Sequence, residues 1–340
     1  MLRRVLPLLL CLCLLTGCAP KTAGSEKQYT ATFLTLFDTV TTVVGKAESE
    51  GAFQAKAQAV HDALLPYHQL FDIYNEYDGI TSLKAVNDRA AASPVVVDKA
   101  IIDLLLDCKE YYALTGGKVN VAMGSVLALW HEAREQSISD PAHAFLPDMA
   151  SLEEASKHTS LDDVVIDEAA STVFFTDPLV KLDVGAVAKG WAAQRVAETA
   201  PGGLLISVGG NVCATGPKDE KGTPWVVGVN DPDGGNYLHT LTITEGSLVT
   251  SGDYQRYFLV DGKVYHHIID PKTLYPSAYW RSVTILCEDS GLADALSTAL
   301  FLLPQAEGQA ILEKCGAEAM WVDAAGNEFF SPGFSDSIRT

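Results

Sequence analysis

Four segments of this 340-residue chain contain side chains that could do chemistry, and the most informative is GLADALSTAL, residues 291–300. Asp294 and Thr298 stand four residues apart in this apolar run, which predicts a helix with both oxygens on one face. A buried carboxylate needs a partner, and such oxygen ligands suit Mg²⁺, which also binds phosphate oxygens. Taken alone, the pattern favours a simpler interpretation, in which Asp294 satisfies the helix end and Thr298 bonds back to its own helix.

The second segment, KLDVGAVAKG at residues 181–190, predicts a strand that delivers Asp183 to a turn at Gly185. A helix then begins, with Lys189 in its first turn. Free amides and the positive end of a helix favour a bound anion at such a place. Asp183 could accept a hydrogen bond from a ribose hydroxyl or a base, although an aspartate before a helix is more often only a cap.

The two remaining segments are weaker signals. LLISVGGNV, residues 204–212, predicts a buried strand that runs into a Gly-Gly-Asn turn. Its glycines permit close approach of a ligand or of another strand, and both readings stay open. Residues 250–273 contain a Ser-Gly turn and the adjacent His266 and His267. Neighbouring strand residues point to opposite faces, so only one histidine can enter a given site, where it could accept a proton.

The elements that must position these residues belong to the α+β class, because short strands follow one another without regular alternation with helices. Polar residues 137–160, with two prolines, predict an irregular insertion. Helices are predicted over 51–65 (ending before Pro66), 97–114, 187–199 and 292–303. Strands are predicted over 164–166, 172–175, 180–183, 204–208, 225–229, 237–243, 257–260, 264–269 and 282–286, with a strand or hairpin over 30–44.

The beginning of the chain predicts export. Two arginines precede the apolar stretch 5–15, as in a signal peptide. Eleven helical residues reach about 16 Å, roughly half of a bilayer core. Residues 15–18, Leu-Thr-Gly-Cys, are similar to a bacterial lipobox. That similarity implies a signal peptide at 1–17, acylation of Cys18, a tether at 18–30, and a lipid-anchored location on the outer face of the cell membrane. The alternative is an ordinary signal peptide with a nearby cysteine.

Charge and cysteine usage narrow the function classes. The formal net charge is −19, and such an acidic chain repels nucleic-acid backbones, so a nucleic-acid partner is not expected. Four cysteines follow the tether, at spacings that match no metal motif. Free thiols are favoured over disulfides, because three of the four stand in apolar surroundings; an exported location leaves pairing open. The four are Cys108, Cys213, Cys287 and Cys315.

Six motifs in one order carry a resemblance that covers residues 37 to about 303, and more weakly the C-terminal strand. They are KLDVGAVAKGWA, LLISVGGNV, PWVVGVNDP, TSGDYQRYF, YHHIIDPKT and ADALSTALF. The set resembles the ApbE family, the FAD:protein FMN transferases. The resemblance implies one domain over 31–340, with largely antiparallel sheets, flanking helices and a flavin cleft between lobes.

The resemblance also implies a reaction and its partners. FAD is split at its pyrophosphate, FMN passes to a Thr or Ser hydroxyl of an acceptor flavoprotein such as a subunit of a membrane redox complex, AMP leaves, and Mg²⁺ is required. Two alternatives use the same residues: a lipid-anchored protein that only binds FAD, and an FAD pyrophosphatase in which water replaces the hydroxyl.

The family's site residues can be matched one by one. Asp294, Thr298 and the carbonyl of Ala186 match the metal ligands. His267 matches the histidine proposed to assist the attacking hydroxyl, and His266 is the second choice. Contacts to the flavin nucleotide are implied for Phe37, Tyr74, Asp183, Lys189, Ile268 and Ser251, with Asp253 in the same Ser-Gly turn as Ser251.

Two departures from the family pattern stand out. Lys118, Val119 and Asn120 replace a common apolar-Asp pair, so the flavin contact there loses a charge. Leu274 occupies a position where the family has glycine. We expect Leu274 either to force a different turn or to narrow the cleft mouth.

Overall fold

An eight-stranded antiparallel sheet forms the frame of the molecule, in the order β1-β2-β6-β7-β10-β13-β14-β15. The computed structural model describes residues 26–339, so the predicted signal peptide and Cys18 lie outside the described residues. The strands are β1 Lys27–Leu36, β2 Thr39–Ala47, β3 Val95–Val96, β4 Val164–Asp167, β5 Thr172–Phe175, β6 Leu204–Val208, β7 Asn211–Thr215, β8 Trp225–Asn230, β9 Tyr237–Ile243, β10 Glu245–Gly252, β11 Tyr257–Val260, β12 Lys263–His266, β13 Ser282–Cys287, β14 Glu318–Val322 and β15 Glu328–Phe330.

Helices cover the sheet and connect its strands. They are α1 Glu50–Phe71, α2 Leu83–Arg89, α3 Lys99–Leu114, α4 Gly124–Ser139, α5 Met149–Ser156, α6 Ala188–Thr199, α7 Ser290–Phe301 and α8 Gln305–Cys315. Smaller antiparallel sheets pair β11 with β12, β8 with β9, and β3 with β5 and β4. The α+β class with largely antiparallel sheets is therefore confirmed. Within residues 26–339, no helix has both the length and the apolar character needed to cross a bilayer.

The main core lies where α7 packs on the sheet. Ten of the twelve residues of α7 are buried, and the helix contacts β10 and β13 on one side and α6 on another. A helix that is apolar nearly all round is expected in such a central position. The four cysteines are free, as predicted, with only Cys315 partly exposed.

Several predicted boundaries are wrong. Strand β1 begins at Lys27, so the last residues of the predicted tether belong to the sheet. Helix α1 continues through the exposed Pro66 to Phe71, because its buried apolar stripe extends over both sides of the proline. The predicted insertion contains the end of α4 and all of α5, whose start is capped by Asp148 and whose Leu152 is fully buried.

Two predicted strands also differ. Residues 180–183 are extended but form only an isolated bridge, from Lys181 to Met123, since their polar groups are held by neighbouring loops and by the Asn87 side chain. Strand β12 ends at His266, so Ile268 lies beyond it. Ser251 and the following glycine belong to strand β10, and the predicted turn comes after them.

Helices α6 and α7 approach each other closely at Gly190. A Cβ atom on Gly190 would lie 2.2 Å from the carbonyl oxygen of Ser290 and 2.6 Å from Cβ of Asp294. Real Cβ atoms do not lie so close to other atoms. The close contact of these two helices therefore requires a residue without a side chain at position 190.

Gly190→Ala should therefore destabilise the protein by about 1–3 kcal/mol, because the helices must separate to admit the methyl group. Gly51→Ala is the matched control: Gly51 lies in the first turn of α1, where a Cβ meets nothing within 4 Å. That change should be neutral or stabilising by up to about 1 kcal/mol. Urea unfolding of both variants checks the prediction, which fails if Gly190→Ala is as stable as the wild type.

Candidate functional site

A buried carboxylate lies at the point where α6 begins beside α7. Asp294 is 4% exposed, and its Oδ2 accepts hydrogen bonds from the Gly190 amide at 2.9 Å and from Nδ2 of Asn211 at 3.1 Å. Nζ of Lys189 lies 3.5 Å from the same oxygen. Burial raises the pKa of Asp294, and the Lys189 charge opposes that rise. Asp294 is not the helix cap, because Asp289 has that role.

Two further oxygens near Asp294 are left free for a ligand. In a regular helix the Gly190 amide would bond to the Ala186 carbonyl, but here it bonds to Asp294. The Ala186 carbonyl thus has no hydrogen bond among the described residues. The Thr298 hydroxyl also has none there; the hydroxyl that bonds back to its own helix is that of Ser297, at 2.9 Å from the Asp294 carbonyl oxygen. The simpler interpretation of the Asp294/Thr298 pair is therefore wrong.

This donor set fits a hard divalent cation that is also held by its substrate. Residues 26–339 contain no group of three or more His, Cys, Asp or Glu side chains that could hold a metal. One carboxylate, one hydroxyl and one carbonyl remain, all oxygen donors. Mg²⁺ accepts such a set when phosphate oxygens and water complete its coordination.

Asp183 and Tyr74 line one cavity of about 220 Å³, together with Lys181, Asn87 and other residues. The Asp183 carboxylate accepts a hydrogen bond from the Gly185 amide at 2.9 Å, so it caps its turn while it faces the cavity. Burial raises the pKa of Asp183. Tyr74 is 51% exposed and stacks on His131 with ring centroids 4.9 Å apart, and partial desolvation raises the pKa of its hydroxyl.

The two adjacent histidines have different environments. His266 is buried: its Nε2 donates to the Ser277 carbonyl at 2.8 Å, and its Nδ1 accepts from the Ile268 amide at 3.2 Å. Both ring nitrogens of His266 are therefore occupied. His267 is exposed and donates from Nδ1 to the Arg256 carbonyl at 3.1 Å. A carbonyl only accepts, so the free Nε2 of His267 carries the lone pair.

Positive charge surrounds His267. Desolvation in the cleft, which outweighs the hydrogen bond to Arg256, lowers the pKa of His267, and the charges of Arg256 and Lys189 add to the shift. Both cations also act on Asp183, which places His267 and Asp183 within electrostatic range of one cationic region.

The other predicted contact residues are distributed more widely. Ser251 bonds to the Ser297 hydroxyl at 2.8 Å and so lies beside α7. Ile268 and Val119 are buried in the hydrophobic core, at 5% and 2% exposure. Phe37 lies at the tip of the β1–β2 hairpin, half-buried. Asp253 forms an ion pair with Arg281 at 3.0 Å.

Lys118 and Asn120 line a second cavity, of about 590 Å³. The Lys118 ammonium is paired with Asp270 at 3.0 Å. Both ends of the Asn120 amide are occupied, since Nδ2 donates to the Thr159 carbonyl and Oδ1 accepts from the Ala122 amide. The side chains of Lys118 and Asn120 therefore hold neighbouring loops together, and neither lines the cavity that contains Asp183.

Leu274 keeps the backbone that glycine would adopt, with φ of +60°. Its side chain is only 7% exposed and packs with Trp130, whose indole nitrogen donates to the Leu274 carbonyl at 2.9 Å. The expectation of a different turn or a narrowed cleft mouth is therefore wrong, because the adjacent apolar cluster takes up the side chain.

Sequence reasoning missed three residues of this site: Asn211, Gly190 and Arg256. Asn211 follows the Gly209-Gly210 hairpin turn, both glycines having positive φ, and the turn aims its amide at Asp294. The sequence shows the Gly-Gly-Asn pattern, but Asp294, which accepts the hydrogen bond from Asn211, lies 83 residues further along the chain. Arg256 lies in the TSGDYQRYF segment, and no local sequence pattern indicates that its carbonyl accepts a hydrogen bond from His267.

Comparisons with known proteins identify the family. The ApbE family model matches residues 37–321. The FAD:protein FMN transferase of Treponema pallidum is 32% identical over 310 residues, covering 83% of each chain. The protein of that name from Klebsiella pneumoniae is 32% identical over 268 residues, covering 75% of this chain and 80% of the relative.

Solved structures give the same result for the fold. The Thermotoga maritima ApbE protein superposes with a TM-score of 0.80 at 30% identity, over 92% of this chain and all of that one. The Vibrio cholerae flavin transferase ApbE, at 20% identity and a TM-score of 0.75, covers 92% of this chain and 99% of its own and supports the fold alone. The resemblance drawn from the six sequence motifs is therefore confirmed, and the chain belongs to the ApbE family.

Proposed function

We propose that this protein transfers the FMN part of FAD to a Thr or Ser hydroxyl of an acceptor flavoprotein and releases AMP, with Mg²⁺ as the required cation. The coarser statement, that it is a transferase enzyme of the FAD:protein FMN transferase type, rests on family membership and on relatives that carry this name. The finer proposal is supported by the Asp294 carboxylate at the start of α6, the Thr298 hydroxyl one turn further along α7, and the Ala186 carbonyl just before α6, which has no hydrogen bond among the described residues.

Charge explains why a cation belongs there. A pyrophosphate brings negative charge to a protein whose formal net charge is −19. Asp294, Thr298 and the Ala186 carbonyl would hold Mg²⁺, which would neutralise the charge of the diphosphate and make its phosphorus more electrophilic. Lys189, Arg256 and the amides at the start of α6 add fixed positive potential on the protein side.

The protein's own residues then handle the proton and the leaving group. The acceptor hydroxyl oxygen forms a bond to the FMN phosphorus, and the bond from that phosphorus to the bridging oxygen breaks, so AMP leaves with the bonding electrons. The hydroxyl proton passes to Nε2 of His267. The hydrogen bond from Nδ1 to the Arg256 carbonyl fixes the tautomer in which Nε2 accepts.

Asp294→Asn should lower FMN transfer by about 100-fold or more, even in excess Mg²⁺, because it keeps the shape of the side chain but removes the only carboxylate of the donor set. Thr298→Val should also lower transfer, and Thr298→Ser should restore it. Asp289→Asn is the matched control, since it removes a carboxylate from the start of the same helix. The assay incubates enzyme, FAD, Mg²⁺ and an acceptor with an exposed threonine, with mass spectrometry of the products.

The products decide among the alternatives. Addition of one FMN to the acceptor supports transfer. Free FMN and AMP would identify a pyrophosphatase, and unchanged FAD would identify a protein that only binds the dinucleotide. Near-normal transfer by Asp294→Asn would rule out the proposed metal ligands.

His267→Ala should still bind FAD but lose transfer by about 100-fold or more, the usual contribution of a general base. His143→Ala is the control, because His143 is exposed on a distant 3₁₀ turn. Binding is followed by flavin fluorescence and transfer by mass spectrometry. Equal activity of His267→Ala and the wild type would remove His267 from the reaction.

We also propose that Cys18 carries the lipid anchor and that the enzyme works on the outer face of the membrane. The support is the lipobox-like sequence alone. Cys18→Ser should move the expressed protein from the detergent phase to the aqueous phase in a Triton X-114 partition. A wild-type protein that already partitions into water would contradict the anchor.

A further inference from the structure

A hydrogen-bond chain of His68, Tyr77 and Asp72, called here the histidine chain, lies beside the cleft and has no role in the reaction described above. The Tyr77 hydroxyl donates to Oδ2 of Asp72 at 2.7 Å. Nε2 of His68 lies 3.3 Å from the same hydroxyl oxygen. All three residues are partly buried.

The first end of the histidine chain holds Phe37. The Phe37 amide donates to Nδ1 of His68 at 3.1 Å, so Nδ1 carries the lone pair. In the neutral ring Nε2 then carries the hydrogen and donates it in the hydrogen bond to the Tyr77 hydroxyl. The Phe37 ring also meets the His68 ring edge-on, with centroids 5.6 Å apart. The direction of every hydrogen bond in the chain is thereby determined.

The turn that carries Phe37 is strained. Phe37 and Asp38 have φ values of +54° and +50° and form the two-residue loop between β1 and β2. Such a loop needs positive φ at both positions, which is why Asn-Gly or Gly-Gly usually occupies it. Side chains there persist only where surrounding contacts determine the conformation, and strain of this kind is characteristic of ligand sites. The contact from His68 is of that type.

The second end of the histidine chain holds Tyr74. Oδ1 of Asp72 accepts from the Tyr74 amide at 2.7 Å and from the Asn75 amide at 2.9 Å. Burial raises the pKa of Asp72, but hydrogen bonds from Tyr77 and Asn75 outweigh it, and the net pKa is below its usual value. Asp72 therefore stays ionised and holds the segment whose Tyr74 ring lines the cavity of Asp183.

We propose that the histidine chain consists of positioning residues that hold Phe37 and Tyr74 in their flavin-binding arrangement before FAD arrives. The inference rests on the proposed function, because the flavin contacts of Phe37 and Tyr74 are implied by the resemblance to the ApbE family. Its physical content is preorganisation: a cleft edge that is already ordered loses less conformational entropy when the ligand binds. The chain acts on affinity for FAD and not on proton transfer, which belongs to His267.

Tyr77→Phe tests this inference, because it removes one hydroxyl and both of its hydrogen bonds and keeps the ring. The Kd and KM for FAD should rise by about 3- to 10-fold, the usual effect of one or two lost hydrogen bonds, while kcat changes by less. His68→Ala should have a similar effect. His68→Gln should restore part of the affinity, since its amide can both accept from Phe37 and donate to Tyr77. The matched control is Tyr29→Phe, at the far end of the same hairpin, whose hydroxyl has no hydrogen bond among the described residues.

Flavin fluorescence titration gives Kd, and steady-state transfer gives KM and kcat. Circular dichroism establishes that each variant is folded; if Tyr77→Phe is not, the His68 pair decides. An unchanged Kd for FAD in Tyr77→Phe and His68→Ala would overturn the inference, as would a loss confined to kcat. A wild type that binds FAD without transferring FMN would refute the proposed function and leave the Kd comparison valid. A wild type that does not bind FAD would refute both.

Discussion

The site depends on one interaction, the hydrogen bond from the Gly190 amide to the buried carboxylate of Asp294. It joins the start of α6 to the middle of α7 and compensates a charge that would otherwise be costly in an apolar helix. It also diverts the amide from its regular helical partner, which leaves the Ala186 carbonyl free. Only a residue without a Cβ permits the approach. Packing, charge compensation and the ligand set therefore arise from the same contact.

Around this contact the sheet supplies side chains from distant parts of the chain. Asn211 is the first residue of β7, and Ser251 lies near the end of β10. Both strands are neighbours in the eight-stranded sheet beneath α7. A rigid sheet and a buried helix fix these groups before any ligand binds, which is the arrangement that favours electrostatic stabilisation of a reaction. The cations Lys189 and Arg256 lie at the more exposed side, where an incoming dianion would first meet the protein.

Local patterns in the sequence were sufficient for much of this structure. The helical spacing of Asp294 and Thr298 placed both on α7, and most strand predictions from Val164 onward agree with the observed elements within a residue or two. What failed depended on tertiary contacts. Pro66 was read as a helix end, but packing on both sides of it keeps α1 continuous. Asn211 and Arg256 could not be assigned, because their partners are distant in sequence or are backbone atoms. The family resemblance supplied the roles that periodicity could not.

Leu274 has a consequence for how the segment after the histidines can move. A left-handed backbone costs a leucine about 1–2 kcal/mol relative to glycine, while burying its side chain contributes about 1.5–3 kcal/mol. The Leu274 side chain restrains the loop by packing in the apolar cluster that contains Trp130. The hydrogen bond from the indole nitrogen goes to the backbone carbonyl, which glycine would offer as well. The side chain at this position therefore anchors the loop to the apolar cluster around Trp130, a restraint that glycine could not supply.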